Sequence, residues 1–229
     1  MLILALETST ELGSCALWRD GALLERTCPA GRSHSETLLP LIGELLRDAG
    51  TTVGALDAIA FGAGPGAFTG LRVACGAAQG LAVAADLPLL GVTSLEAMAV
   101  QTGDGNVLAL LDARMGEIYA ARYRVADGHC LLQGEIRVLA PADLPLPEVS
   151  GWRACGNAPS AYPELQKRLL AADIGFVPGV LPTAAAVARL AAPRLARGEG
   201  IDAALAAPLY VRDKVAKTVA ERLHEGGRA

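Results

Sequence analysis

The hydrophobic pattern at the start of the chain predicts a three-stranded antiparallel meander. Its three apolar runs cover residues 2–6, 13–18 and 22–28. The first run ends at Glu7, and the dipeptide Asp20-Gly21 between the second and third runs is a strong hairpin signal. Short apolar runs bounded by polar turns are typical of buried strands.

The same plan recurs later in the chain. Three apolar runs cover residues 107–111, 117–125 and 129–138. The first ends at Asp112, and Asp127-Gly128 marks the second hairpin. This internal repeat predicts a duplicated α/β protein with an N-terminal lobe at 1–103 and a C-terminal lobe at 104–207. A charged C-terminal helix within about 208–229 is expected to pack on the first lobe.

Two helices are predicted between the meanders. The first runs from residue 33 or 35 to about 49, with serine at its start, Pro40 inside it and Gly50 after its end. The second covers 69–85 and follows a buried strand at 57–61. In one interpretation both helices simply cover the sheet. In the other, each leaves one face for a second protein, because the apolar arc of the first is wider than one core face requires.

The second predicted helix has an almost flat side made of small residues, and two further helices are expected at 163–172 and 183–197. The small residues are Gly76, Ala77, Gly80 and Ala84. Residues 140–147 contain several prolines and predict a connection without regular structure.

Composition narrows the function classes. The chain of 229 residues is 52% hydrophobic and only 4% aromatic, so its core must consist mainly of Ala, Leu and Val. The formal net charge of -4 argues against strong direct binding to nucleic acid. Five cysteines without a CxxC pair suggest buried thiols in a reducing compartment. Because no signal peptide is recognised and the apolar stretch 73–85 is short for a bilayer, a cytoplasmic protein without membrane contact is expected.

The segment FGAGPGAFTGLR, residues 61–72, is the strongest candidate for chemistry. No lysine precedes Thr69, so it is not a Walker P-loop, although its glycines fit a loose dinucleotide pattern. A tight packing turn and an anion-binding turn are both consistent with it. The hydroxyls of residues 8–10 are a second candidate for a phosphate. Glu7 and Asp112 end equivalent strands and would hold Mg²⁺ if they faced each other.

The histidines do not predict a metal site. The chain has His34, His129 and His224, and none stands four residues from another, so no helix presents two imidazoles to one metal. No Ser-His-Asp or Cys-His arrangement can be recognised from spacing alone. The residues therefore do not indicate a self-sufficient hydrolase.

Six separated segments together resemble the TsaB (YeaZ) family of bacterial proteins. They are LALETST, RSHSETLLPLI, FGAGPGAFTGLRVACGAAQGLA, VTSLEAMA, LDARMGEIYAARY and PLYVRDKVA. The resemblance implies an actin-like, Hsp70-like (ASKHA, RNase H-like) ATPase fold with two duplicated lobes. It also implies a role beside the catalytic transferase TsaD and the ATPase TsaE, which place a threonylcarbamoyl group on the tRNA adenosine 3′ of the anticodon.

The resemblance further implies a noncatalytic partner subunit. TsaD binds its metal through a His-x-x-x-His pair, whereas this chain has His34 followed by Leu38, so neither catalytic residues nor a metal site are expected. The helices of this region would instead contact the partner. The residues expected at that interface are His34, Leu38, Leu41, Leu45, Thr69, Leu71, Arg72, Ala74 and Ala78. On this basis Leu38→Glu or Ala78→Arg should abolish co-purification with TsaD while the chain stays folded.

Nucleotide binding and the alternative functions stay open at this point. The weak nucleotide candidates are Thr8, Ser9, Thr10, Gly64 and Gly66. Glu7, Ala67 and Ala158 depart from the family pattern and weaken such a site, so no cofactor of the chain's own is expected, while ATP or ADP at or near the partner interface is left open. The chain should touch tRNA only indirectly, and a homodimer is conceivable when it is alone. A metallopeptidase-like or sugar-kinase-like enzyme of the same fold, or a homodimeric binding module, is the alternative.

Overall fold

The computed structural model describes residues 1–212, and its first lobe is built on a five-stranded sheet. The strands are β1 (Leu2–Glu7), β2 (Ser14–Arg19), β3 (Ala22–Thr27), β4 (Ala58–Gly64) and β5 (Leu89–Thr93). Their order in the sheet is β3-β2-β1-β4-β5. The first three strands are antiparallel, whereas β4 and β5 are parallel to β1. The predicted meander and the buried strand after it are confirmed.

The second lobe repeats this order. Its strands are β6 (Gly105–Arg114), β7 (Glu117–Ala126), β8 (His129–Leu132), β9 (Arg137–Leu139), β10 (Trp152–Cys155) and β11 (Gly175–Val177). The order β11-β10-β6-β7-β8 matches the first sheet read from the other end, with antiparallel β6-β7-β8 and parallel β10 and β11. The duplication inferred from the repeated hydrophobic pattern is therefore present in the topology.

The last strand of the second meander differs from the prediction. The expected continuous strand at 129–138 is divided into β8 and β9, which pair with successive parts of β7. Gly134 lies between them with φ +91°, a left-handed conformation that interrupts extended backbone. The parallel strands β5, β10 and β11 were not predicted because they are short and carry no alternating pattern.

Six α-helices cover the two sheets in the described part of the chain. They are α1 (His34–Asp48), α2 (Phe68–Ala85), α3 (Ser94–Ala99), α4 (Ala158–Ala161), α5 (Pro163–Ala171) and α6 (Ala184–Ala196). The four longer helices match the predicted segments to within one or two residues. The short helices α3 and α4 were not predicted, because one turn of helix is too short to display a 3.6-residue period.

The packing of α6 corrects the predicted lobe boundary. α1 and α2 pack on one face of the first sheet, where Leu38 and Ala78 share a core with Phe61. α6 covers the opposite face of that same sheet, with Val187 and Ala191 in the core there. Residues 104–207 therefore do not form one lobe, since α6 belongs to the first by its packing. A C-terminal helix was predicted within about 208–229. Residues 208–212 are not helical, and the rest of the predicted helix lies outside the described residues.

α2 is long and apolar enough to cross a membrane by length and composition alone, with 18 residues and a mean hydropathy of 1.2. The apolar stretch is thus longer than the sequence pattern indicated. However, Leu71, Ala74, Cys75 and Ala82 of this helix are buried inside the first lobe. α2 thus packs one face in the first lobe, and 33% of the 18 residues are buried.

Candidate functional site

The glycine-rich segment between β4 and α2 packs tightly against the turn that joins β1 to β2. Three of its glycines face three consecutive residues of that turn. A Cβ would lie 2.0 Å from Glu7 Oε2 at Gly62, 1.8 Å from the Thr8 carbonyl oxygen at Gly70 and 2.5 Å from the Ser9 carbonyl oxygen at Gly66. A methyl group has no room at these distances, so close contact requires glycine here.

Two hydrogen bonds hold the same contact together. The Ala67 amide donates to the Ser9 carbonyl oxygen at 2.7 Å. The Thr8 hydroxyl donates to the Gly70 carbonyl oxygen at 2.7 Å. Of the two interpretations that the sequence left open for this segment, these contacts favour a packing turn.

Glu7 is buried at the end of β1 and does not face Asp112. Its carboxylate accepts hydrogen bonds from the Ser9 amide at 2.6 Å and from the Ser94 hydroxyl at 3.3 Å. Burial raises the pKa of Glu7 above its ordinary value, and these hydrogen bonds oppose the shift. Glu7 is not among the residues that line the cleft between the lobes. The predicted carboxylate pair for Mg²⁺ is therefore not formed.

Asp112 lies near the end of β6 and is held by its own lobe. Its Oδ1 accepts hydrogen bonds from the Tyr162 hydroxyl at 2.9 Å and from the Arg114 amide at 2.9 Å. The Arg114 guanidinium lies 3.1 Å from its other oxygen. Its negative charge is thus already compensated by a neighbouring cation.

A cleft of about 400 Å³ separates the two lobes and contains most of the predicted nucleotide candidates. The first lobe lines it with Thr8, Ser9, Thr10, Arg32, His34, Gly66 and Thr69. The second lobe contributes Asp112, Arg114, Tyr119 and Asn157. Because both lobes supply walls, the volume of this cleft depends on the angle between them.

The nucleotide candidates do not all reach this cleft. The Thr8 hydroxyl is used by Gly70, as described above, and the Thr10 hydroxyl accepts from the Leu12 amide at 3.3 Å. Gly64 lies outside the cleft, where a Cβ would meet Leu71 Cδ1 at 3.0 Å and the Leu209 carbonyl oxygen at 3.2 Å. The prediction is therefore corrected for Gly64, whereas nucleotide binding by the others stays a prediction.

His34, the first residue of α1, makes a structural contact. Its Nε2 is 2.9 Å from the Thr10 carbonyl oxygen. The ring also lies so close to Gly13 that a Cβ there would be 2.6 Å from Nδ1. Leu38, one turn later, faces the core. Within residues 1–212 no group of three or more His, Cys, Asp or Glu side chains is placed to hold a metal ion.

The predicted interface residues do not form one surface. Five of them are buried in this chain's own lobe, namely Leu38, Leu45, Leu71, Ala74 and Ala78. His34 and Leu41 are half-buried, and only Thr69 and Arg72 are exposed. The prediction is corrected for the five buried residues, because their side chains already fill the space between the helices and the sheet. Leu38→Glu and Ala78→Arg would place a charge in that core and unfold the chain.

Other residues of α1 and α2 are exposed on this helix pair. Among them are Leu39, Gly43, Gly76, Gly80 and Val83. Gly76 and Gly80 stood out in the sequence as part of a small-residue side, and Gly43 could have been recognised as a glycine inside a predicted helix. We call this surface, together with Thr69 and Arg72, the helix-pair surface.

Comparisons with known proteins identify relatives over nearly the full chain. The family model of TsaD, tRNA N6-adenosine threonylcarbamoyltransferase, matches residues 28–148. The Escherichia coli tRNA threonylcarbamoyladenosine biosynthesis protein TsaB is 39% identical over 94% of this chain and 96% of its own length. The Haemophilus influenzae protein of the same name is 36% identical, over 94% and 95% of the two chains.

Two solved structures are also similar to this chain over most of its length. YeaZ from Pseudomonas aeruginosa has a TM-score of 0.81 and 36% identity, and the match covers 91% of this chain and 99% of that one. A second Pseudomonas aeruginosa structure, described as similar to the peptidase YeaZ, has a TM-score of 0.82 and 37% identity. The predicted two-lobed α/β fold is confirmed.

Proposed function

This chain belongs to the TsaB family of tRNA threonylcarbamoyladenosine biosynthesis proteins, and from that premise we propose that it is a noncatalytic subunit that binds and activates TsaD. In this role the chain provides a binding surface for TsaD and does not catalyse a reaction itself. The helix-pair surface is the part of the molecule that best fits this role.

Three glycines in the interiors of α1 and α2 carry the proposal. Gly43, Gly76 and Gly80 are exposed, and apart from the adjacent backbone of their own helix no atom lies within 4 Å of a Cβ built on any of them. Glycine inside a helix costs roughly 0.5–1 kcal/mol relative to alanine. The described part of this chain makes no use of the space that these glycines leave. The close approach of a helix from another protein would use it.

The surroundings of these glycines also suit a protein partner. Leu39 and Val83 are large apolar side chains that are 54% and 71% exposed. Arg72 and Thr69 add polar groups at the start of α2. Apolar contacts with a polar rim are characteristic of protein–protein interfaces.

The match to the TsaD family model suggests how the partner docks. The matched residues, 28–148, include both α1 and α2. A partner with a similar helix pair can meet this surface across an approximate two-fold axis, as in isologous dimers. A second copy of this chain would use the same surface in the absence of TsaD. The proposed assembly also contains TsaE, and it binds ATP or ADP near the interface. In this assembly the chain contacts tRNA only indirectly.

Two residues on α1 favour leaving catalysis to the partner. His34 uses Nε2 on the Thr10 carbonyl oxygen, and Leu38 occupies a core position one turn later. A histidine pair with His-x-x-x-His spacing would need a ligand at the position of Leu38, which points into the first lobe's core.

We predict that Gly80→Arg abolishes the complex with TsaD, because the long side chain prevents close helix contact at an exposed position. Ala171→Arg on α5 is the matched control, since it adds the same side chain to an exposed site on the second lobe. Size-exclusion chromatography with light scattering measures the complex, and thermal unfolding verifies the fold of both variants. A complex of wild-type affinity with folded Gly80→Arg would contradict the proposed surface.

The proposed role itself is tested by reconstitution. We expect tRNA threonylcarbamoyladenosine formation by TsaD and TsaE to require this chain, whereas the chain alone should not turn over ATP or peptides. Hydrolysis of either substrate by the purified chain would support the enzyme alternatives instead. Full tRNA modification without the chain would exclude an activating role.

A further inference from the structure

The segment 208–212, part of the PLYVRDKVA motif, passes from the first lobe to the second and is here called the strap. Its near end is attached to the first lobe. The Leu209 amide donates to the Ala63 carbonyl oxygen on β4 at 2.7 Å. The Leu209 carbonyl oxygen lies close enough to Gly64 that a Cβ there would be 3.2 Å away.

The middle of the strap is held by the first turns of α2. The Tyr210 ring lies 5.8 Å from the Phe68 ring between centroids. The Arg72 Nε donates to the Tyr210 hydroxyl at 3.1 Å, and the guanidinium carbon lies 3.7 Å from the centroid of the Phe68 ring. Arg72 thereby connects the strap to the helix-pair surface.

The far end of the strap is attached to the second lobe. The Arg212 guanidinium donates to the Ala113 carbonyl oxygen at 3.1 Å and forms an ion pair with Glu117. It also contacts Met115 Sδ at 3.5 Å. All three partners lie on the β6–β7 hairpin, and the Arg212 side chain is only 17% exposed. Charge-assisted hydrogen bonds of this kind are stronger than those between neutral groups.

The middle and the far end of the strap contact the two elements that form opposite walls of the inter-lobe cleft. The start of α2 forms one wall through Ala67 and Thr69, and the β6–β7 hairpin forms the other through Ala113 and Arg114. We propose that the strap is a latch that fixes the spacing of these walls. We further infer that Arg72 couples the latch to the exposed face of α2. This coupling rests on the proposed function, in which that face binds the partner.

The physical basis is that two packed lobes move by hinge rotation unless contacts across them prevent it. Opening the cleft would separate Ala113 from Ala67 and would pull Arg212 away from Glu117. A partner group that draws Arg72 away from Tyr210 would weaken the strap at its middle. Docking on α2 would then change the cleft without direct contact to it.

Hydrogen exchange of the full chain tests the latch. Arg212→Met removes the guanidinium but keeps an apolar side chain, and we expect exchange in the β6–β7 hairpin to rise about tenfold while β1 is unchanged. Arg197→Met is the control, because it removes an exposed ion pair with nearby Glu199. Wild-type exchange in Arg212→Met would overturn the latch. If Arg212→Met unfolds, Glu117→Gln breaks the same ion pair from the other side and is judged by the same result.

Arg72→Met and Tyr210→Phe test the coupling to α2. Both leave the Arg212 contacts in place, yet both should raise exchange in the hairpin if the middle of the strap transmits the effect. Unchanged hairpin exchange in both variants would overturn the coupling and leave the latch standing. These measurements use the chain without TsaD. Their failure is therefore distinct from failure of the proposed function, which complex formation reports.

Discussion

At the scale of single residues, Glu7 shows most clearly how the fold changes the meaning of a side chain. In the sequence it ends an apolar strand and resembles a metal ligand. In the structure it is fully buried and accepts hydrogen bonds from Ser9 and Ser94. Within residues 1–212 no ion pair includes it. Its charged form is therefore held only by neutral donors.

We predict that Glu7→Gln makes stability less dependent on pH. Burial raises the pKa of Glu7 in the folded state, so its favourable contribution is complete below the unfolded pKa and is lost as pH rises through the folded pKa. The melting temperature of wild type should therefore fall relative to that of Glu7→Gln as the pH is raised from 4 to 8. These two pH values lie below and above the ordinary pKa of a glutamate carboxyl group, about 4.3.

Thermal unfolding across that pH range measures the effect. Glu11→Gln provides the control, since it makes the same change at an exposed position on the same turn. A constant difference between Glu7→Gln and wild type at every pH would show that the carboxyl group titrates alike in both states.

At the scale of elements, α2 has two faces with opposite requirements for glycine. On the buried face, Gly70 touches the β1–β2 turn. On the exposed face, Gly76 and Gly80 touch nothing in the described chain. The first glycine is required by the fold, whereas the other two lower the stability of the helix without a close contact in the described chain.

Alanine scanning of these glycines should separate the two faces. Gly70→Ala is expected to lower the free energy of unfolding by about 2 kcal/mol or more, because its Cβ would overlap main chain. Gly76→Ala is expected to raise it by roughly 0.5–1 kcal/mol, because alanine favours the helix. Urea unfolding measures both. Equal effects of the two substitutions would contradict this division of the helix.

At the scale of the whole molecule, a buried ion pair holds α3, which packs between the two lobes, to α6 on the side away from α2. Glu96 is on α3, where Leu95 and Met98 pack in the core of the second lobe and Ala97 packs in the core of the first. Arg194 is on α6, which covers the first sheet. The pair is 7% and 23% exposed, and Arg194 also donates to the Gly91 carbonyl oxygen at 3.1 Å.

We predict that Arg194→Met destabilises the chain by about 3–5 kcal/mol, because it leaves the Glu96 carboxylate buried without its cation. The double variant with Glu96→Gln should recover part of that loss, since no unpaired charge then remains. Urea unfolding of the two single variants and the double variant forms the required cycle. Additive losses in that cycle would mean that the two side chains do not stabilise each other.

Much of the fold could be predicted from local pattern. The two meanders, the four longer helices and the duplication follow from apolar periodicity and from turns such as Asp20-Gly21, because these depend on near neighbours in sequence. The short strands β10 and β11 could not be predicted, since their residues are buried by parallel pairing that sequence does not display.

For the candidate site, the sequence identified the two helices but not which face of each helix is exposed. The apolar arc of α1 and the small-residue side of α2 indicated a helix pair with more apolar surface than the sheet can cover. The arc alone does not show which of its residues pack against the sheet of the same chain and which are exposed. Leu38 and Ala78 were assigned to a partner although they fill the first lobe's own core.

The amino-acid sequence by itself determined the two meanders, the main helices, the repeat and the family, because each is recorded in residue types at fixed spacing. Only the tertiary structure decided which sheet α6 covers, that Glu7 and Asp112 do not meet, and that residues 208–212 join the two lobes. These features depend on contacts between residues far apart in the chain. Such contacts are chosen by the packing of whole lobes and leave no local pattern.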